Sequence, residues 1–210
     1  MPDYWNHNVA YHPLVLGAVP ADCRDALDVG CGDGLLARKL AAPGRRVTGI
    51  DVSAAMIESA RSLSEDASEE SGCLEFFEGD FMNMPLPEGG FDFVSFVASV
   101  HHMDSTAALT KATALLRPGG RLVVVGLARN ATLTDWLISA LCLPLTRLHN
   151  LRPSFGAPDG MPVKDTLISW GEVRKQAREL LPGARYQHHL HYRYSLRWTK
   201  PAHSEITATA

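Results

Sequence analysis

The segment Leu27-Asp28-Val29-Gly30-Cys31-Gly32-Asp33-Gly34 places a glycine-rich turn between an apolar β-type run and residues with helical spacing. Glycines in such a turn let a ligand approach the backbone closely and permit positive φ angles that a Cβ would resist. A dinucleotide fingerprint would read Gly-x-Gly-x-x-Gly, with a pyrophosphate on the following helix N-terminus. Here Gly34 comes one residue early, Leu35 stands where that fingerprint wants Gly or Ala, and Asp28 and Asp33 put negative charge where phosphates would lie. Two more acids follow later apolar runs: Asp51 in Gly49-Ile50-Asp51-Val52-Ser53, and Asp80 in Glu78-Gly79-Asp80-Phe81. A histidine pair closes Ala98-Ser99-Val100-His101-His102. Imidazole titrates near neutrality, so either ring could take a proton from an alcohol, phenol or amine; the bland alternative is that the pair only orients its loop.

In this order, the segments resemble the motifs of class I S-adenosylmethionine (SAM)-dependent methyltransferases over nearly the whole chain. SAM carries an ammonium and a sulfonium, which acidic surroundings suit. The resemblance implies that Asp28, Gly30, Cys31 and Gly32 form the cofactor turn and that Asp51 accepts hydrogen bonds from both ribose hydroxyls. It implies that the Asp80 side chain takes the adenine amino group, with Phe81 supplying a backbone N–H and covering a face of the base. Val52 and Met56 would pack on the adenine, although Met56 at helical spacing reads equally as core. Ala98 and Ser99 would neighbour the methionine part of SAM, with His101 or His102 as general base.

The N-terminal Tyr4-Trp5-Asn6-His7-Asn8-Val9-Ala10-Tyr11-His12 precedes the first strand, where related enzymes lay a helix over the cofactor. Residues 1–22 are therefore expected to form a lid helix, with Tyr11 among the cofactor contacts; aromatics that merely anchor the helix by packing are the alternative. Cys31 reads as a small turn residue rather than a nucleophile, because nothing nearby in sequence would lower its pKa. No metal is expected: the four cysteines are scattered, and His101, His102 and Asp104 lack the spacing of a closed site. Neither Asn-Pro-Pro-Tyr nor Pro-Cys, the patterns linked to base or glutamine amino groups and to cytosine C5, follows the fourth strand. A small-molecule acceptor is implied, methylated at O, N or C, with S-adenosylhomocysteine (SAH) as the other product. A SAM-binding regulator or scaffold without catalysis is the competing reading.

The elements that must position these residues alternate. Strands are expected from Ala26, over Arg46–Ile50 and Leu74–Phe77, and along the apolar run Phe91–Val100. Helices should follow at Leu35–Leu40, after a Ser53 cap, and from a Ser105 cap to Leu116, where Pro118-Gly119-Gly120 ends it before the strand Arg121–Leu127. Ser62–Gly72, rich in Ser, Glu and Asp, reads as a helix end and a solvated loop. Such alternation gives a Rossmann-like, doubly wound α/β fold, and the resemblance makes it a seven-stranded, mostly parallel sheet with an antiparallel last strand and helices on both faces. The pattern breaks after Leu127, and residues 131–164 read as an inserted lid over the substrate. Asp165–Leu181 then resumes as an amphipathic helix, and Ala184–Trp198 as two strands whose turn neither Gly nor Pro marks. Alternation along His188–Trp198 would bury Tyr or Leu and expose His or Arg, which makes this run structural rather than a metal tract. The tail after Pro201 reads as frayed.

At 210 residues, 46% hydrophobic and 20% charged, the chain suits one globular domain, residues 1–210. A net charge of −3 offers no general attraction to nucleic acid or anionic membrane. The start lacks a signal peptide's basic and apolar regions, so the expected setting is cytoplasmic, as a monomer or homodimer.

Overall fold

A computed structural model describes residues 6–65, 72–132, 168–189 and 192–202. Seven strands form one sheet: β1 (Asp25–Val29), β2 (Arg46–Asp51), β3 (Cys73–Glu78), β4 (Phe91–Val97), β5 (Leu116–Leu127), β6 (Arg185–His188) and β7 (Arg193–Thr199). Their order is β3-β2-β1-β4-β5-β7-β6, with β7 antiparallel to both of its neighbours and the other pairings parallel. The expected doubly wound, mostly parallel sheet with an antiparallel last strand is therefore present. The chain runs outward from β1 to β3 and then returns to start β4 on the other side of β1. That reversal opens a crevice at the carboxyl ends of β1 and β4, the usual ligand position of such sheets.

Successive residues of a strand face opposite sides of the sheet, and both sides are buried here. Leu27, Val29, Val94, Phe96, Leu122 and Val124 belong to one core, which α4 (Ser105–Leu115) and α5 (Trp170–Leu180) cover with Leu109, Leu115, Trp170 and Val173. Ala26, Val47, Phe93, Val123 and Val125 belong to the other, under Leu36 and Leu40 of α2 (Leu35–Leu40) and Ile57 of α3 (Ala54–Ser62). At the opposite end from the crevice, Arg117 bridges Asp25 and Asp92, each at 2.8 Å.

Several boundaries differ from the sequence reading. β4 stops at Val97, not Val100, because Ala98 takes φ 55 and turns the chain into a short 3-10 helix, Val100–His102. α4 is capped by Asp104, whose side chain accepts from Ala107 N, rather than by Ser105. Pro118-Gly119-Gly120 lies inside β5: pairing jumps from Phe91↔Leu116 to Phe93↔Arg121, so the extra residues bulge and the strand resumes. Ser53 caps α3 as expected, accepting from Met56 N. α5 starts at Trp170 under a capping box between Ser169 and Glu172, and the residues expected before it, 165–167, lie outside the described ones. At the β6–β7 turn Tyr192 takes the left-handed conformation, φ 58, that the sequence supplies no Gly or Asn to provide. The 131–164 insertion falls, beyond its first two residues, outside the described residues, as do 66–71 of the acidic loop and the tail from His203.

Candidate active site

The crevice is a cavity of about 830 Å³, within the range of small-molecule sites. Its floor is the glycine turn after β1. Gly30 N and Cys31 N both donate to Ile50 O, at 2.7 and 3.0 Å, which folds the turn onto β2. Gly30 sits at φ 71, and a Cβ there would overlap the Ser99 side chain; the turn and the end of β4 meet too closely for any other residue. Gly32, at φ 54, donates its N–H to Asp51 Oδ2 at 2.9 Å. Asp51 Oδ1 accepts from Ser53 N at 2.9 Å, so backbone donors on two segments fix this carboxylate. Each oxygen keeps a further lone pair for an incoming hydroxyl.

Asp28 is 2% exposed and accepts from Ser95 Oγ at 2.8 Å. Burial pushes its carboxyl up to about 7, against the Ser95 hydrogen bond and with some help from the negative charge of Asp51. Asp33, also buried, accepts from Leu35 N at the start of α2. Cys31 is buried as well; burial, with Asp28 and Asp51 nearby, drives its thiol far up, so it fills the turn and offers no thiolate.

Around this floor stand the other residues expected at the cofactor. Val52 is 65% exposed and Met56 buried, and both line the cavity, Val52 as an open apolar face. Asp80 lines it too, its oxygens accepting from Met82 N at 2.9 Å and Asn83 Nδ2 at 2.7 Å. Phe81 lines the cavity as well, with its ring largely buried edge-on against Phe96, 5.5 Å between centroids, and Lys111 Nζ 5.0 Å from it, so the side chain also braces the wall from the core.

On the β4 side, Ala98 and Ser99 line the cavity; Ala98 N donates to Val125 O at 2.7 Å and Ser99 Oγ to Val29 O at 2.5 Å. The left-handed Ala98 is a strained position of the kind found at functional sites, and it aims the following 3-10 helix across the cavity mouth. On that helix the His101 and His102 rings lie 4.1 Å apart, inclined by 38°. Both rings also border a second cavity of about 700 Å³, which Glu172, Gln176 and Tyr194 help to line.

Among the described residues of the N-terminal segment, a 3-10 turn, Val9–Tyr11, runs into the five-residue α1 (His12–Leu16). Tyr4 and Trp5 lie outside the described residues. Tyr11, expected at the cofactor, is not among the described lining residues; its ring packs edge-on to His189 at 5.1 Å, the anchoring alternative. Asn6, Asn8, Val9 and His12 reach the cavity instead, together with Arg193 of β7. Sequence reasoning missed Arg193 because alternation assigned the arginines of that run to solvent. In fact the N-terminal turn that carries Asn8 and Tyr11 packs on Arg193, which is 9% exposed. Its Nη2 donates to Asn8 Oδ1 at 2.7 Å, and its guanidinium lies 5.9 Å from the Tyr11 ring. Among the described residues no cluster of His, Cys, Asp or Glu is arranged to hold a metal, and no helix is long and apolar enough to cross a membrane.

Residues 27–124 match a family described as a methyltransferase domain. An uncharacterized methyltransferase of Mycobacterium tuberculosis is 35% identical over 208 residues, 96% of this chain and 100% of its own length. The 27-O-demethylrifamycin SV methyltransferase of Amycolatopsis mediterranei is 37% identical over 111 residues, 51% of this chain and 40% of that protein. In architecture, a SAM-dependent methyltransferase of Methanosarcina mazei superposes with a TM-score of 0.63 at 18% identity, covering 90% of this chain and 98% of that one.

Proposed function

We propose that this chain, which belongs to the class I SAM-dependent methyltransferase family, transfers a methyl group to an O, N or C nucleophile of a small molecule. The observation that carries the reading is one cavity in which Gly32, Asp51, Asp80 and the His101–His102 pair meet, each brought there by a different strand end. Two features of the turn support it: Gly30 lets the turn lie directly against Ser99 at the end of β4, and the Asp51 oxygens are held in a fixed direction by Gly32 and Ser53. Asp51 would hold the ribose, Val52 and Met56 the adenine faces, Asp80 and the Phe81 N–H the adenine edge, and Asp28 with Asp33 the cationic methionyl end.

When bound, SAM supplies a methyl group on a sulfonium, whose carbon–sulfur bond breaks with the electron pair left on sulfur. The protein's part is placement. Ala98 and Ser99 set the floor of the methyl-transfer region, and His101 or His102 takes the proton that an alcohol, phenol or amine acceptor loses as its lone pair bonds to carbon. Alignment of this kind is worth about 7–11 kcal/mol in the best-oriented reactions, and proton acceptance about 10²–10⁴-fold in rate.

The A. mediterranei relative is named for a rifamycin, which supports a small-molecule acceptor. No nucleic-acid or membrane partner, a cytoplasmic setting and a monomer or homodimer complete the reading. Methyl-labelled SAM incubated with the protein and a small-metabolite extract tests it. The expected outcome is label in a compound heavier by one methyl, with SAH formed in equal amount. Tight SAM binding without any labelled product would favour the regulator or scaffold instead.

A further inference from the structure

We infer that Arg193 receives a carboxylate of the methyl acceptor, which makes acids rather than neutral molecules the substrate class; this rests on the methyl-transfer reading above. The charges lining the cavity are strongly segregated. Asp28, Asp33, Asp51, Asp80 and Asp104 come from the carboxyl ends of β1 and β2 and from the segments that follow β1, β3 and β4, and among the described lining residues Arg193 is the lone lysine or arginine. A cationic donor is drawn to the acidic end. The donor's one anionic group, its carboxylate, is attached to the same carbon as the ammonium that Asp28 and Asp33 would hold at β1, which leaves the basic end at β7 for an anion of another molecule.

Position separates the two ends as well. Arg193 opens β7 and pairs with Leu127 at the end of β5, so β4 and β5 lie between it and the glycine turn of β1. At about 4.8 Å per strand its backbone sits roughly 14 Å from β1 and roughly 10 Å from the β4 end where Ala98 and Ser99 mark the methyl-transfer region. Beyond the methyl group, seen from the nucleoside, is where an acceptor must lie. Asn8 fixes the guanidinium's orientation through the 2.7 Å bond to Nη2, and the Tyr11 ring lies beside it. A planar fork held in this way matches a carboxylate bidentately. Burial disfavours the charge of Arg193, lowering its pKa, and a bound anion would offset that cost.

The test uses the full chain saturated with SAH and titrated calorimetrically with matched probes, benzoate against benzamide and hexanoate against hexanamide. Hydrogen bonds to a charged group contribute about 1.5–3 kcal/mol, so each acid should bind at least about tenfold more tightly than its amide. Arg193→Met should bring that ratio near unity while SAH affinity stays within about threefold. Arg193→Lys, which keeps charge and bulk, should retain a reduced preference and covers the case of a Met variant that fails to fold. Equal binding of acids and amides by the wild type overturns the inference. So does a loss of SAH affinity in Arg193→Met that 5′-methylthioadenosine, lacking the amino-acid group, does not share, since Arg193 would then hold the donor's own carboxylate. Absence of SAH binding would defeat the methyl-transfer reading and this inference together; SAH binding without acid preference defeats only this inference.

Discussion

On the β3-β2-β1 side of the cavity, Asp33, Asp51 and Asp80 each accept from a backbone N–H in or beside their own turn. On the β4-β5-β7 side, the lining comes from far apart in the chain: Asn8 and Arg193, 185 residues distant, hydrogen-bond to one another, and the histidine pair rides on a 3-10 turn aimed by a strained alanine. The first half is set by local geometry that short motifs encode. The second depends on packing between separate segments. A methyltransferase meets one donor and many possible acceptors, and the division between a locally encoded half and an assembled half follows that need.

Substitutions should therefore act differently on the two sides. The largest effect belongs to Gly30→Val, which drives a branched side chain into Ser99 at a positive φ. SAH affinity should fall by more than about 100-fold, or the fold should fail, since such a position costs about 1–2 kcal/mol before any overlap. Gly44→Ala is the control: φ is 72 but open space surrounds it, so chemical denaturation should report a loss of only about 1–2 kcal/mol with SAH binding intact. Next, the double change His101→Ala with His102→Ala should lower turnover by about 10²-fold or more while SAH affinity stays within about threefold. Weakened SAH binding with normal turnover would erase the distinction between the halves.

A smaller effect is expected from Asp28. Its carboxyl, ordinarily near 3.8, is raised to about 7 by burial. SAM, a cation, should favour the ionised form, so its affinity should rise as pH increases from 6 to 8, by at most about tenfold per unit below the raised pKa, and Asp28→Asn should flatten the profile. Fold stability runs the other way. The unfolded carboxyl ionises near 3.8, so this group's stabilising share is complete below that value and is lost as pH rises through about 7. Thermal melts of the ligand-free wild type and Asp28→Asn between pH 5 and 8 would show it, and parallel curves for the two proteins would contradict it.

The alternation of strands and helices on both faces of a parallel sheet, and the glycine turn, were legible because strand and helix periods alternate through Leu127 and each acid follows an apolar run; the antiparallel last strand came from the family resemblance. The bend at Ala98 was not, since Phe91–Val100 stays apolar past the point where the strand ends and alanine gives no sign of a positive φ. Asp104 and Ser105 are adjacent cap formers, and only geometry chooses between them. Arg193 was hidden for a different reason: whether an alternating run exposes its arginines depends on what packs on that face of the sheet, and here it is Asn8 and Tyr11, nearly the whole chain away. Tyr11 shows the converse: its local setting suggested a ligand, and its ring packs against His189 and the Arg193 guanidinium, contacts that its neighbours in sequence do not announce.

The most direct test of the account is titration calorimetry of the folded chain with SAH, repeated on Asp51→Ala. One site per chain is expected, weakened by about tenfold to 100-fold in the variant, because the carboxylate both accepts from Gly32 and Ser53 and would meet the ribose. A wild-type protein that is folded yet binds neither SAH nor SAM would contradict the central claim, and equal affinity in Asp51→Ala would remove Asp51 from the site.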